Sequence, residues 1–260
     1  MRLVDLTRLL DPDEQVHSSA RSTRVIVPKI TYYAPDREGI GIMCEAYGCK
    51  PEEHPRGEGW GTEDVQLATH TGTHVDAPLH YGSTCEGKPA RTISDIAIEE
   101  LYCDAIVLDL RGTTAPGHAI SVDTLEAKLD EVGAPVTPGC AILLRTGQEA
   151  YKLSQPEYFR YPGMTREGTL MLAERGAKVL GTDALGWDRP IKLMKDTFQK
   201  TRDAADIWDG HMAGRDKEVF IVQQLVNLAA LPTSSFKVAF FPIKLARCSA
   251  APARVVAFVP

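Results

Sequence analysis

Residues 70 to 80 read HTGTHVDAPLH and hold three of the chain's seven histidines together with an aspartate. Two imidazoles and a carboxylate are a ligand set for Zn²⁺, Mn²⁺ or Fe²⁺ that leaves coordination positions open. His70, His74 and Asp76 carry that reading. On an ideal strand their even spacing shares one face. His70 and His74 would then stand about 13 Å apart at Cα, too far to share an ion. A helix would bring them together, but Gly72, Pro78 and the β-branched Thr73 and Val75 disfavour one. The pattern therefore predicts a strand ending near His70, a turn at Gly72 and an irregular run to Pro78, which folds the three side chains around a point. The same residues also allow a bland alternative, three surface histidines in a polar turn.

The elements that must position this stretch are short. Runs with strand composition lie at Val4–Leu6, Val25–Val27, Val65–Thr69, Ala105–Leu110, Ala141–Leu144, Lys178–Gly181, Lys237–Phe241 and Val255–Val259. Residues 121–132 place Val122, Leu125, Leu129 and Val132 on one helix face, with Ser121 as N-cap and Gly133 after the end. Residues 165–175 repeat the device between Thr165 and Gly176, and a weaker helical pattern falls within 197–209. Strands alternating with single helices predict one α/β domain over residues 1–260. The runs before residue 70 have no helix between them, so the sheet is mixed. Residues 35–63 hold little regular pattern and read as an irregular, lid-like segment over a site, with Trp60 as its apolar contact to substrate.

Composition excludes several classes. The chain is 43% hydrophobic and 25% charged with a net charge of −6, which offers no broad basic surface for nucleic acid or anionic lipid. The first residues, MRLVDLTRLLDPDE, bring acids directly after a short apolar run, so no secretory signal is expected. No stretch reaches the roughly 18 apolar residues of a membrane span. Six cysteines without CxxC spacing predict reduced thiols in a cytoplasm. No G-x-S-x-G elbow occurs, which argues against a serine hydrolase.

The eleven-residue stretch resembles the HxGTHxDxPxH signature of the cyclase-like metal-dependent hydrolases, the family of bacterial kynurenine formamidase and isatin hydrolase. LVDLT at 3–7, LLRTG at 143–147, YPGMTREGTLMLAERGAKVLGTD at 161–183, LVNL at 225–228 and PARVVAF at 252–258 extend the likeness over nearly the whole chain. The resemblance implies a barrel-like β core with flanking helices, of the swivelling β/β/α type. It implies metal binding by His70, His74 and Asp76 and catalysis by His80. A later histidine, here His211, and a glutamate twelve residues on hold a second metal in relatives. This chain has Gln223 at the glutamate's position.

An amide in place of a carboxylate removes one negative charge, and two nearby divalent cations need anionic ligands between them. One ion per chain, Mn²⁺ or Zn²⁺, is therefore expected, with Gln223 as a neutral ligand or a donor beside the ligands. His211 is then free for proton transfer or substrate binding. The expected chemistry is metal-dependent hydrolysis of an amide C–N bond in a small molecule, with His80 as general base. An ester or lactone hydrolase on the same site and a metal-binding protein without catalysis are the alternatives. Asp183 and Asp188 could serve as extra carboxylates near the metal, but structural roles at a strand end are the favoured reading, though Asp183 also matches a recurrent aspartate of the family. The resemblance also implies a homodimer or homotetramer.

Overall fold

A computed structural model describes residues 1–17, 26–54 and 56–260. Among these residues twelve strands occur: β1 (Arg2–Asp5), β2 (Lys29–Tyr33), β3 (Thr62–Gln66), β4 (His74–Asp76), β5 (Thr84–Cys85), β6 (Lys88–Pro89), β7 (Tyr102–Asp109), β8 (Ala141–Arg145), β9 (Val179–Thr182), β10 (Phe220–Gln223), β11 (Phe236–Pro242) and β12 (Ala250–Val259). Among the described residues five helices accompany them: α1 (Glu38–Tyr47), α2 (Val122–Val132), α3 (Arg166–Glu174), α4 (Ile191–Thr201) and α5 (Asp209–Met212).

The main sheet runs β1-β12-β11-β7-β8-β9-β10-β4, and β4 pairs back onto β12. Seven strands thus close a mixed barrel. β7 to β10 lie parallel and the remaining pairs are antiparallel. The ten-residue β12 makes closure possible, because β4 and then β1 pair along it in succession. Closure leaves these strands without the free edges that invite aggregation.

Two hydrophobic cores follow from the period of two along each strand. Val75, Val107, Leu143, Val179, Phe220, Val222, Phe240 and Val255 fill the barrel. Their neighbours Ile106, Leu108, Ile142, Leu144, Leu180 and Ile221 face outward and pack under Leu125 and Leu129 of α2 and Leu172 of α3. Burial on both faces explains the unbroken apolar runs of β7 and β8. The caps read from sequence are present: Ser121 accepts a hydrogen bond from the Thr124 amide, and Thr165 accepts one from the Gly168 amide.

Several expectations need correction. Residues 35–63 are not irregular, because α1 spans ten of them. Only Gly39 and Cys44 of that helix are buried, so it shows no apolar stripe for sequence reading to find. The helix expected within 197–209 starts earlier, at Ile191, and a second one carries His211. Ile26 and Val27 are not in a strand, and Val25 lies outside the described residues. Strand pairing begins instead at Lys29. No helix among the described residues is long and apolar enough to cross a membrane.

Asp183, just beyond β9, ties the strand ends together. Its carboxylate accepts hydrogen bonds from the Thr146 amide at 2.8 Å, the Thr146 hydroxyl at 2.6 Å and the Gly147 amide at 2.8 Å. This is the structural role expected for it. Asp183→Ala strands those buried donors and should cost about 3 kcal/mol of stability. Urea unfolding measures it, and a loss below about 0.5 kcal/mol would contradict the role.

Candidate metal centre and catalytic site

The motif is more regular than its spacing suggests. His74 and Asp76 sit on β4, paired with β10 and β12, rather than in an irregular run. Val75 between them points into the barrel, so His74 and Asp76 both face outward. His70 lies in the turn before the strand. Gly72, at φ +65°, reverses the chain between the two histidines, as expected. A side chain there would also collide with Leu10, whose Cδ2 lies 2.3 Å from the position of an added Cβ.

Asp76 is fully buried. Its Oδ1 stands 3.4 Å from His70 Nε2 and 3.5 Å from His74 Nε2, and no hydrogen-bond donor among the described residues reaches it. His74 Nδ1 lies 2.7 Å from the Gly72 carbonyl. A carbonyl can only accept, so Nδ1 carries a proton and Nε2 is the ring nitrogen turned toward Asp76. His80, in the 3₁₀ turn Pro78–His80, brings its Nδ1 to 3.0 Å from His70 Nε2. Donor atoms of His70, Asp76 and His80 all come within 4.8 Å of one another.

The electrostatics suit a cation. Burial lowers the pKa of His70, and Asp76 only partly opposes it. Burial likewise brings His80 down to about 4. Burial alone would raise the pKa of Asp76, but His74, His211 and His80 around it outweigh that and hold it well below the ordinary carboxylate value. Neutral imidazoles and an ionised carboxylate are the protonation states that metal ligands require. The bare Oδ1 and the two Nε2 atoms facing it therefore fit a divalent ion.

Gln223 sits opposite His74 in the β10–β4 register. Its amide nitrogen donates to Asp76 Oδ2 at 2.9 Å and lies 3.2 Å from His211 Nε2. The carboxylate demands an N–H from Gln223, so the amide meets Asp76 as a donor. His211, on α5, pairs through Nδ1 with Asp188 Oδ2. The other Asp188 oxygen accepts from the Gly210 amide at 2.6 Å. Burial opposes charge on His211, but Asp188 and Asp76 overcome it and raise its pKa to about 9.

Asp188, for which sequence reading favours a structural role over that of an extra carboxylate near the metal, fixes the His211 ring. Sequence reasoning missed Trp208. Trp208 stacks on His211 with centroids 4.6 Å apart and meets the His80 ring edge-on at 5.0 Å. Its φ of +55° is strained for a tryptophan. Its place three residues before His211 was the available signal. Trp60, expected to contact substrate, instead packs on Tyr47 with centroids 6.0 Å apart and is 43% exposed. Tyr33 donates to Asp64 in the β2–β3 hairpin. A cavity of about 290 Å³ joins His70, His74, His80, His211 and Gln223 to an apolar wall of Tyr161, Leu185, Ile191, Met194 and Trp208. That is near the lower bound of about 300 Å³ for small-molecule clefts.

The chain belongs to the cyclase family, whose sequence model, described as "Putative cyclase", matches residues 4–189. It is 26% identical over 197 residues to a kynurenine formamidase of Salinibacter ruber, covering 74% of this chain and 77% of that protein. The fold matches isatin hydrolase A from Ralstonia solanacearum with a TM-score of 0.78 at 24% identity, over 100% of this chain and 92% of the other. A protein from Bacillus stearothermophilus described as a predicted metal-dependent hydrolase matches with a TM-score of 0.63 at 21% identity, over 98% of this chain and 97% of that one. The barrel with flanking helices is thus the fold that the resemblance implied.

Asp188→Asn removes the negative charge that His211 faces. The His211 imidazole should then titrate at lower pH than in the wild type. Histidine NMR titration reads this, and an unchanged midpoint would show that Asp188 does not set the charge.

Proposed function

We propose that this protein is a cytoplasmic amidohydrolase that cleaves a C–N bond, open-chain or cyclic, in a small and partly apolar substrate, with one Mn²⁺ or Zn²⁺ per chain held by His70, His74 and Asp76. The observation that carries the reading is the bare Asp76 Oδ1, buried without a donor and flanked by two Nε2 atoms. A buried carboxylate oxygen left without a donor in this way is costly unless a cation meets it. The names of the relatives, kynurenine formamidase and isatin hydrolase, support the hydrolytic assignment.

A divalent ion supplies Lewis acidity to a carbonyl and lowers the pKa of water toward neutrality. The chain's own groups do the rest. His80, neutral because of its burial, takes the proton of the attacking water and returns it to the leaving nitrogen. His211, held by Asp188, is the second proton site and faces the same cavity. Gln223 fixes the Asp76 carboxylate so that Oδ1 stays turned to the histidines. The apolar wall, including Trp208, receives the body of the substrate. Two divalent ions 4 Å apart would repel by roughly 16 kcal/mol at an effective dielectric of about 20. Asp76 and Asp188 are the carboxylates at this site among the described residues, and Asp188 is taken by His211. That supports a single ion.

The closeness of His80 Nδ1 to His70 Nε2 favours a second reading, with His80 as a ligand in place of His74. Metal content separates the two. His80→Ala should keep its ion and lose at least about 100-fold in turnover, the usual size of a general-base contribution. His74→Ala should lose both ion and activity. The reverse pattern of metal retention transfers the ligand role to His80. A panel of formamides, cyclic imides, isatin and lactones assayed on the metal-loaded protein decides the bond type, and activity on lactones alone would overturn the amide assignment.

The same proposal includes a homodimer or homotetramer. The β2–β3 hairpin exposes both faces, with Tyr32 59% and Val65 56% exposed. A lone two-stranded hairpin is only marginally stable in water, which supports its packing on a second copy. Light scattering should give at least twice the 28.5 kDa chain mass, falling toward one chain mass in Tyr32→Asp/Val65→Asp. A monomeric wild type excludes it.

A further inference from the structure

The arm formed by β2, α1 and β3 carries a pair of cysteines outside the site. Gly39, near the start of α1, lies against the backbone of Trp60, where a Cβ would stand 1.9 Å from the carbonyl oxygen. Helix and returning chain therefore touch backbone to backbone at that end. The other end of α1 is closed by Gly48 in the left-handed conformation, φ 66°. The Gly48 amide donates to the Glu45 carbonyl at 3.4 Å, and the Cys49 amide donates to the Cys44 carbonyl at 3.0 Å. These two bonds form a Schellman cap, a motif that brings the side chains of its first and last residues into contact. In this helix both are cysteines. Cys44 is the one residue of α1 with a side chain that is buried, and Cys49 is half-buried. Burial, and then the Cys49 side chain that it faces, raise the pKa of the Cys44 thiol.

We propose that Cys44 and Cys49 are a reversible dithiol–disulfide couple, which makes the C-terminus of α1 a site of oxidation by low-molecular-weight disulfides such as oxidised glutathione. Cys49, the more exposed thiol, gives its proton to solvent and attacks one sulfur of the oxidant. A mixed disulfide forms, and the other half leaves as a thiolate. Cys44, deprotonated in turn, displaces the second half and closes the protein disulfide. Two protein thiols are oxidised and one small disulfide is reduced to two thiols, which take up the two protons. The oxidised form adds a covalent bond across the same cap that the Cys49–Cys44 backbone bond closes. The remaining buried thiols lie on other elements, Cys85 on β5, Cys103 on β7 and Cys140 just before β8.

The test uses the full chain equilibrated with excess oxidised glutathione, blocked with iodoacetamide and digested with trypsin. Residues 38–56 leave as one peptide, because Pro51 protects the bond after Lys50, and Cys44 and Cys49 are its two cysteines. The expected peptide carries no alkyl group and is lighter by two hydrogens. Cleavage after Glu45 leaves its halves joined until reduction. Amide exchange at Gly48 and Cys49 should slow in the oxidised protein. Cys44→Ser should trap a glutathione adduct on Cys49; if that variant does not fold, the wild-type peptide alone decides. Two alkylated cysteines under excess oxidant, or a bond from Cys49 to another cysteine or another chain, overturns the proposal.

Discussion

A carboxylate buried with one oxygen satisfied and the other bare is the constraint around which this molecule is arranged. Gln223 holds Asp76 Oδ2, while among the described residues Oδ1 has no donor and faces the Nε2 atoms of His70 and His74. Such an anion is tolerated only where the surroundings fix it and a cation can answer it. The barrel supplies the fixing. β4 is only three residues long, yet it is paired on both edges, and Val75 anchors it in the barrel core. A slip of one residue would turn His74 and Asp76 into the core and Val75 out of it.

The other two histidines at the cavity reach it by different routes. His80 follows β4 on a 3₁₀ turn, and His211 arrives on α5, held by Asp188 from the loop after β9. Trp208 joins them by contacting both rings. Its left-handed backbone is a local cost that surrounding contacts must offset, as is common where a side chain is aimed for function. His70, His74, Asp76 and His80 are therefore neighbours in sequence, and the tertiary fold brings His211 to them.

The arm is a different kind of structure. The barrel strands are buried on both faces, whereas α1 and the β2–β3 hairpin bury little. Gly39 against Trp60 and the Cys44–Cys49 cap hold α1 at its two ends. These are contacts of backbone and small side chains, which leave the larger apolar groups of the arm facing outward.

What the sequence by itself determined was local chemistry and local pattern. The histidine and aspartate motif, the turn at Gly72, the caps at Ser121 and Thr165 and the apolar runs of β7 and β8 each depend on neighbours within a few residues. Their physics is carried by side-chain type and spacing. Tertiary structure decided the rest. β4 is a strand because β10 and β12 pair with it, which three residues of mixed character cannot announce. Gln223 meets Asp76 through register across strands 147 positions apart. Asp188 became the partner of His211, and Trp208 displaced Trp60 at the cavity, because barrel closure brings distant loops together. Contacts set by chain closure leave no periodic trace in the segments that make them.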